Sequence, residues 1–313
     1  MPASPSITIT PMSRCEILDG KKLADTIGKA LKQEVQALKS QSHWPPTLAI
    51  LSFETQASEL YRKAQLAAAK ALGIEVAELV GAERLGIVPA TRFTFPKDAT
   101  QAQVEQAIYE FNDAPRIHGI FVHQPLPQGL DAQRISAIID PRKDVEGIHP
   151  QNSARRFFAK ARIGSCTALA VMELIEATGV DLAGKEAVVV GHSEIVGRPV
   201  SMLLLDKLAT TTICHVGTDR AGRLEDHVRR ADVLVVAVGR PHFIKGAWIK
   251  PGAIVVDVGI NVVKGHVVGD VEFEAAKARA SFITPVPGGV GPVTVMMVMK
   301  NTVEAFKLQA DGR

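Results

Sequence analysis

A β-branched run leads through a turn of small residues into the start of a helix in Ala187-Val188-Val189-Val190-Gly191-His192-Ser193-Glu194-Ile195-Val196-Gly197-Arg198-Pro199. In α/β proteins, a strand, a tight turn and a helix N-terminus in this order form a binding site for a pyrophosphate. The spacing departs from Gly-x-Gly-x-x-Gly, because Ser193 occupies the second glycine position and Gly197 comes one residue late. The pattern predicts a dinucleotide-binding loop, and a plain strand-to-helix turn is the alternative.

Strand-like and helix-like segments alternate on both sides of this stretch. After it, short β-branched runs occupy residues 211–215, 233–238 and 254–258. Before it, buried strands are predicted at residues 48–51 and 117–122, and helices are predicted over residues 58–72 and from Thr100 to residue 111. Apolar strands separated by helices are typical of a parallel sheet covered on both faces. The predicted fold class is therefore α/β.

The length of 313 residues exceeds the usual limit of one hydrophobic core, which predicts two domains. A polar and basic segment at residues 152–162 is the expected boundary. We expect residues 13–152, together with residues 292–313, to form an α/β catalytic domain. Residues 153–291 should form a Rossmann-like domain with a parallel sheet. The ligand cleft should lie between the two domains.

Composition argues against several classes of function. The net charge is only +3 and both signs are interspersed, which argues against a nucleic-acid surface. No apolar run approaches the ~18 residues of a membrane span. The three cysteines are scattered and lack metal-ligand spacing, so we expect reduced thiols, no metal site and a cytoplasmic protein. Residues 1–13 predict a disordered leader rather than a signal peptide.

A loop rich in proline and glycine occupies Pro285-Val286-Pro287-Gly288-Gly289-Val290-Gly291-Pro292-Val293-Thr294. Proline restricts φ, while glycine lets another chain or a ligand approach without a Cβ. An apolar run follows directly and predicts a buried helix. Free backbone N–H groups at the start of such a helix suit a polar planar or anionic ligand. A rigid turn before a core helix is the alternative.

Several segments recur in a fixed order in one enzyme family. They are Ala57-Ser58-x-x-Tyr61, Val122-x-x-Pro125-Leu126-Pro127, Lys143-Asp144-Val145-x-Gly147, Gly191-x-Ser193-x-x-Val196-Gly197-x-Pro199, Gly269-Asp270-Val271 and the 285–294 loop. On these motifs the chain resembles the methylenetetrahydrofolate dehydrogenase/cyclohydrolase family, from Ile17 to about Lys307. The resemblance implies a folate in the cleft and NAD or NADP on the second domain.

The resemblance also assigns roles to single positions. The implied catalytic residues are Tyr61, Gln65 and His123. The implied folate-binding residues are Glu146, Pro287, Gly288, Gly289, Pro292 and Thr294. The implied dinucleotide-binding residues are Thr167, Gly191, His192, Ser193, Val196, Gly197, Pro199, His215, Val238, Gly239 and Ile260. We expect Tyr61, Gln65, His123, Glu146 and the loop at residues 288–292 to line the folate site together.

Three implied site residues depart from the family pattern, since Gln65, His123 and Glu146 stand where the family has lysine, glutamine and aspartate. By resemblance, the lysine assists water addition to the methenyl carbon, and an amide cannot relay a proton near neutral pH. We therefore expect cyclohydrolase activity to be weak or lost, whereas hydride transfer mainly needs positioning. His123 either replaces the lysine as a base or only hydrogen-bonds its loop.

Two further departures concern the dinucleotide. His192 stands where the family has an arginine, and Val216 stands where NADP-using members often have a serine. Loss of a fixed cation at the 2′-phosphate favours NAD, or no dinucleotide at all. Arg198, Arg220 or Arg223 could restore that charge, so NADP stays open.

Three functions stay open from the sequence. The leading one is that of a specialised paralogue that oxidises 5,10-methylenetetrahydrofolate to methenyltetrahydrofolate and passes the hydride to NAD or NADP. The second is a transferase that delivers the methylene carbon to a nucleophilic acceptor, with His123 as base. The third is a non-catalytic folate-binding module. We expect a folate as the small-molecule partner and a homodimer, with neither nucleic acid nor membrane as partner.

Overall fold

A computed structural model describes residues 15–80, 85, 93–158 and 160–311. The leader predicted for residues 1–13 and the last two residues of the predicted first domain lie outside this range. The described elements are β1 (Glu16–Ile17), α1 (Gly20–Ser42), β2 (Thr47–Phe53), α2 (Gln56–Leu72), β3 (Glu75–Val76), α3 (Ala77–Val80), β4 (Thr94–Phe95), α4 (Gln101–Asp113), β5 (Gly119–Val122), α5 (Ala132–Ile138), α6 (Pro150–Phe157), α7 (Cys166–Glu176), β6 (Glu186–Val190), α8 (Gly197–Asp206), β7 (Thr210–Cys214), α9 (Val216–Arg220), α10 (Leu224–Arg230), β8 (Val233–Val236), a 3₁₀ helix (Gly246–Trp248), β9 (Ile254–Asp257), β10 (Asn261–Val263), β11 (His266–Val268), α11 (Phe273–Lys277), β12 (Phe282–Ile283) and α12 (Val290–Asp311).

The first sheet is parallel and is centred on β2. Strand β5 pairs with residues 48–51 of β2, while β3 and β4 pair with the two ends of β2. The strand predicted at residues 48–51 is longer than expected, and the one predicted at residues 117–122 is shorter. Successive side chains of β2 enter two different buried clusters. Both faces of this sheet are therefore covered, as expected for a parallel sheet.

Helix α4 begins where its sequence indicates. Thr100 is the N-cap and forms a capping box with Gln103. The helix runs two residues beyond its predicted end at residue 111. The buried Nζ of Lys143 donates to three carbonyl oxygens at this end, those of Phe111, Asn112 and Ala114, at 2.9, 2.7 and 2.8 Å. Lys143 thereby anchors its own segment, which also contains Glu146, to the end of α4.

The second sheet has six strands in the order β1-β12-β9-β8-β6-β7, and its pairings are all parallel. The strands predicted around residues 187–190, 211–215, 233–238 and 254–258 are β6 to β9, so the α/β fold class is confirmed. β1 departs from the predicted division at residue 152, because Glu16–Ile17 pairs with β12 of the second sheet. A sheet edge accepts any extended segment whose backbone reaches it, and this pairing has no local sequence signal.

Helices α7 and α12 connect the two sheets. Their buried side chains belong to one core cluster that also contains Leu48 from β2 and Val256 from β9. Helix α12 begins at Val290, inside the 285–294 loop and before the apolar run that predicted it. Pro292 fits there because the first N–H groups of a helix have no intrahelical acceptor. The shared core fixes the cleft between the domains.

Three observations concern the classes that composition disfavours. Within the described ranges, no helix combines the length and the apolar character needed to cross a bilayer. Cys15, Cys166 and Cys214 are free thiols. The same ranges contain no group of three or more His, Cys, Asp or Glu side chains that could hold a metal ion.

Candidate active site

A cavity of about 570 Å³ lies between the domains, at the carboxyl ends of both parallel sheets. Ligands of α/β proteins bind at that edge. The predicted site residues that line it are Tyr61, Glu146, Thr167, Val196, Ile260, Pro287, Gly288, Gly289, Pro292 and Thr294. The structure therefore brings the predicted folate loop, one catalytic residue and part of the predicted dinucleotide site into one space.

The loop at residues 285–294 is held by close backbone contacts with the start of α1. The Gly20 N–H donates to the carbonyl oxygen of Gly288 at 3.0 Å. A Cβ at Gly20 would overlap the carbonyl oxygen of Gly289, and Gly288 has a φ of 103°, which other residues rarely adopt. The Thr294 hydroxyl donates to the carbonyl oxygen of Val290 within α12. The loop thus presents mainly backbone to the cavity.

Tyr61 and Glu146 supply the polar side chains of the first-domain wall. Burial raises the pKa of Glu146 to about 8, with a smaller contribution from the nearby Asp144 carboxylate. Burial also raises the pKa of Tyr61, and Cys166 and Glu146 add to this effect. Asp144 itself accepts hydrogen bonds from the N–H groups of Gly147 and His149, so it braces the turn beside Glu146. Glu146 is consequently largely protonated at neutral pH.

Gln65 and His123 do not line the cavity, contrary to the expectation. Both side chains are buried, and the ring of His123 lies 5.5 Å from the ring of Tyr61, which does line it. His123 Nε2 lies 2.7 Å from Gln65 Oε1, and His123 Nδ1 lies 2.7 Å from the Ser58 hydroxyl. The two side chains lie next to Tyr61, where Gln65 Oε1 and His123 Nε2 share a hydrogen bond.

The position of His123 gives no support to its predicted role as a base. Burial lowers its pKa to about 4, with a smaller effect from the positive charge of Arg62, while Ser58 opposes the shift. Both ring nitrogens already have partners. The imidazole is therefore neutral near pH 7 and has no free lone pair directed at the cavity. The alternative interpretation of His123, as a residue that hydrogen-bonds its surroundings, matches these contacts.

The loop after β6 is closely packed through its backbone. A Cβ at Gly197 would overlap the carbonyl oxygen of Gly191, and Gly191 has a φ of 121°. The Ser193 hydroxyl accepts from the N–H groups of Val196 and Gly197 at 3.2 and 3.4 Å. The first turn of α8 therefore opens from a closely packed loop, and these residues fit a pyrophosphate at a helix N-terminus.

The remaining predicted dinucleotide residues follow the carboxyl ends of β6, β7 and β8 or lie on α8. The rings of His192 and His215 are perpendicular, with centroids 5.3 Å apart. The N–H groups of Val238 and Gly239 both donate to Asp270, so they are not available to a ligand. Pro199 lines an adjoining cavity of about 600 Å³, on the other side of the contact between Ser165 and Ile195. These residues follow the sheet edge outside the main cavity.

The two parts of the chain match the two domains of one enzyme family. The description "Tetrahydrofolate dehydrogenase/cyclohydrolase, catalytic domain" matches residues 18–146, and the "NAD(P)-binding domain" of the same name matches residues 165–310. The chain belongs to the tetrahydrofolate dehydrogenase/cyclohydrolase family.

Members of this family align with nearly the whole chain. The bifunctional protein FolD of Acetivibrio thermocellus is 43% identical over 296 residues, which span 94% of this chain and 98% of the relative. The bifunctional protein FolD 2 of Geobacter sulfurreducens is 44% identical over 298 residues, with coverage of 95% and 98%. The family resemblance expected from the motifs is confirmed.

Solved structures of the tetrahydrofolate dehydrogenase/cyclohydrolase family share the fold. The bifunctional FolD enzyme of Campylobacter jejuni superposes with a TM-score of 0.85 at 37% identity, and the match covers 94% of this chain and 99% of that one. The Trypanosoma brucei enzyme, solved with NADP cofactor and an inhibitor, has a TM-score of 0.86 at 35% identity, with coverage of 96% and 99%.

Several residues that line the cavity were absent from the predicted site, among them Phe121 and Cys166. Phe121 lines the cavity, whereas the pattern of residues 117–122 was interpreted only as a buried strand. The two-residue period of a strand places Phe121 and His123 on one face, and this signal could have identified Phe121. Cys166 also lines the cavity, and its buried thiol donates to the carbonyl oxygen of Val145 at 3.0 Å. No sequence signal distinguishes this thiol from the other two.

Proposed function

We propose that this chain oxidises 5,10-methylenetetrahydrofolate to methenyltetrahydrofolate and passes the hydride to NAD(P), with cyclohydrolase activity weak or lost. The observation that carries this proposal is the shared cavity. Tyr61, Glu146 and the 285–294 loop form one wall, while Val196 and Ile260 belong to the dinucleotide side. A folate and a nicotinamide bound to these two walls meet in one space. The transferred hydride leaves the methylene carbon with both electrons, so positioning rather than a base drives this step.

Each predicted residue has a proposed task in binding. Glu146 pairs with the amino edge of the pterin, which requires its carboxylate to ionise when the folate binds. The backbone of the 285–294 loop and the ring of Tyr61 enclose the folate. Gly191, Ser193 and Gly197 hold the pyrophosphate, and Thr167 and Ile260 border the nicotinamide end. NAD or NADP then serves as the hydride acceptor.

The proposed weak cyclohydrolase activity is explained by the side chains near Tyr61, none of which is free to act as a base. Water attack on the methenyl carbon requires a group that accepts a proton near neutral pH, and such groups contribute about 10²–10⁴-fold to rates. The Gln65 amide cannot accept a proton there. His123 is buried with both nitrogens bound and has a pKa of about 4. Glu146, with a pKa of about 8, is proposed to be engaged by the pterin.

We further propose that NAD is preferred over NADP. The first turn of α9 follows β7, where the adenosine ribose of a dinucleotide is held in this fold. Its donors are used internally, because the Gly217 N–H donates to His215 Nδ1 and the His215 N–H donates to Thr218 Oγ1. Val216 is exposed and has no hydroxyl to offer a 2′-phosphate. Arg198, one candidate for restoring the charge, pairs with Glu194 at 3.3 Å.

One assay tests the proposed reaction. The purified protein is mixed with methylenetetrahydrofolate and each dinucleotide in turn, and absorbance at the nicotinamide band is followed. We expect reduction of NAD, slower reduction of NADP, and little hydrolysis of methenyltetrahydrofolate supplied separately. Failure to reduce either dinucleotide, with folate binding intact by calorimetry, would exclude the dehydrogenase. Tighter binding of NADP than of NAD would overturn the cofactor preference and indicate that another arginine contacts the 2′-phosphate.

The predicted domain division, oligomer and location also stay proposals. We propose catalytic and dinucleotide domains divided within residues 152–162, with β1 assigned to the second sheet.

We propose a homodimer, supported by exposed Leu205, Leu208 and Ile213 around β7, the last strand in the order of the second sheet. Light scattering should give twice the chain mass, and Leu208→Asp should reduce it. The three free thiols support a cytoplasmic location.

A further inference from the structure

The hydrogen bonds next to Tyr61 have a defined direction. The Phe53 N–H donates to the Ser58 oxygen at 3.2 Å, and the buried Ser58 hydroxyl proton is satisfied when it donates to His123 Nδ1 at 2.7 Å. A neutral imidazole that accepts at Nδ1 carries its proton on Nε2. That Nε2–H then donates to Gln65 Oε1 at 2.7 Å. Ser58 therefore selects the tautomer of His123, and His123 selects the orientation of the Gln65 amide.

The other end of this amide has no partner. Gln65 Nε2 is buried and has no hydrogen-bond acceptor among the residues that the structure describes. Buried donors are almost always satisfied in folded proteins, and an exception indicates a missing partner. Gln65 lies one helical turn after Tyr61 on α2, so the two side chains share a face of that helix. Gln65 thus lies next to Tyr61, whose side chain forms part of the cavity wall.

We infer that His123 is a positioning residue that holds the Gln65 amide with its NH₂ group toward the folate site, where it donates to an acceptor atom of the bound pterin. The carbonyl oxygen or a ring nitrogen of the pterin can serve as that acceptor. Gln65 is fully buried. The Tyr61 ring must therefore shift for the pterin to reach the Gln65 amide. This inference rests on the proposed function in one respect, since it takes a folate as the ligand.

Two substitutions of His123 separate this role from the alternatives. In His123→Gln, the new amide nitrogen can occupy the place of Nε2 and still donate to Gln65 Oε1. In His123→Asn, the shorter side chain can replace Nδ1 opposite Ser58 but does not reach Gln65. We expect His123→Gln to bind tetrahydrofolate within about twofold of wild type, and His123→Asn to bind it about five- to tenfold more weakly. The KM for methylenetetrahydrofolate should follow, with kcat little changed and NAD affinity unchanged.

A second background tests whether His123 acts through Gln65. Gln65→Met keeps the length of the side chain but removes the amide, so it should weaken tetrahydrofolate binding by itself. Adding His123→Asn to Gln65→Met should then have no further effect, because coupled residues are not additive. Equal, additive losses in both backgrounds would overturn the inference. So would His123→Gln and His123→Asn variants that lower the melting temperature equally and bind tetrahydrofolate alike.

The tautomer can be measured directly. In protein labelled with ¹⁵N-histidine, we expect an unprotonated Nδ1 and a protonated Nε2 for His123, and Ser58→Ala should weaken this preference. A proton on Nδ1 in wild type would overturn the inference. If both His123 variants instead abolish turnover while tetrahydrofolate binds normally, His123 is a base after all. The calorimetric and NMR readouts do not depend on turnover, so the absence of dehydrogenase activity would reject the proposed function without deciding the role of His123.

Discussion

The two walls of the cleft, one on the proposed dinucleotide side and one on the proposed folate side, are shaped by different kinds of contact. The dinucleotide wall relies on backbone, because Gly191 and Gly197 approach too closely for any Cβ between them. The folate wall relies on side chains, in which Gln65 and His123 bind each other next to Tyr61. The first wall keeps its shape even though His192 replaces the arginine that the family pattern has. In the second wall, the lysine and glutamine of the pattern are replaced by a hydrogen-bonded glutamine and histidine.

This difference explains why a side chain can change by itself on the dinucleotide side, whereas a change on the folate side requires a second one. A backbone-defined loop leaves side chains such as His192 free to vary, since its geometry depends on glycine positions. A buried side-chain network must satisfy every donor and acceptor, so one substitution constrains the next. The pairing of Gln65 with His123 is therefore best understood as one coupled change. The predictions that follow test this coupling on one wall and the backbone requirement on the other.

The largest effect should come from restoring the family pair on the folate wall. We expect Gln65→Lys with His123→Gln to raise methenyltetrahydrofolate hydrolysis by about 10²–10⁴-fold, because an amine can take part in proton transfer where an amide cannot. Gln65→Lys alone should gain less, since its ammonium would face the Nε2–H of His123, and both groups are donors. Loss of methenyl absorbance measures the rate. His123→Gln alone is the control, and wild-type hydrolysis as fast as that of the double variant would contradict the prediction.

The next largest effect should come from the backbone of the dinucleotide wall. In Gly197→Ala, the new Cβ would overlap the Gly191 carbonyl, so the loop must shift. We expect NAD affinity to fall by about a hundredfold and the free energy of unfolding to fall by about 1–3 kcal/mol. Calorimetry and denaturant unfolding measure the two quantities. Gly28→Ala in α1 is the matched control, because its Cβ would meet only ordinary contacts. Normal NAD binding by Gly197→Ala would show that the close approach is not required.

A smaller effect is expected at Glu146. Because its pKa is raised to about 8, pairing with the pterin should release a proton at pH 7. The affinity for tetrahydrofolate should then rise with pH up to about 8 and level off above it. Glu146→Gln should weaken binding by about ten- to a hundredfold and remove this pH dependence. Calorimetric titrations in buffers of different ionisation enthalpy measure how many protons are released when tetrahydrofolate binds. Proton uptake, or no exchange at pH 7, would refute the assigned pairing.

The last effect is a pH dependence of stability at His123. Its folded-state pKa of about 4 lies below the ordinary value, so the unfolded chain takes up a proton first as pH falls. Its contribution is therefore favourable above about pH 6.5 and is lost toward pH 4, by about 3 kcal/mol in total. His123→Gln should lack this part of the slope, as unfolding curves between pH 4 and 7 would show. Parallel slopes for the two proteins would mean that His123 is not held neutral.

Predictions from the sequence were correct where local covalent chemistry sets the structure. The β-branched runs became the parallel strands β6 to β9, and Thr100 caps α4. Gly191 and Gly197 of the predicted dinucleotide loop, and Gly289 of residues 285–294, lie where a side chain would clash. Motif order alone identified the family, which the two matched domains confirm. These features were predictable because propensity, proline restriction and the lack of a Cβ act over a few residues.

Contacts between distant segments decided the rest. Gln65 and His123 are 58 positions apart, and each was interpreted separately until the fold paired them. The pKa values of His123 and Glu146 depend on burial by segments that no local pattern specifies. The strand β1, from the start of the described chain, joins the sheet of the second domain. Hydrogen bonding and desolvation depend on which groups meet in space, and for this protein only the assembled fold determines those neighbours.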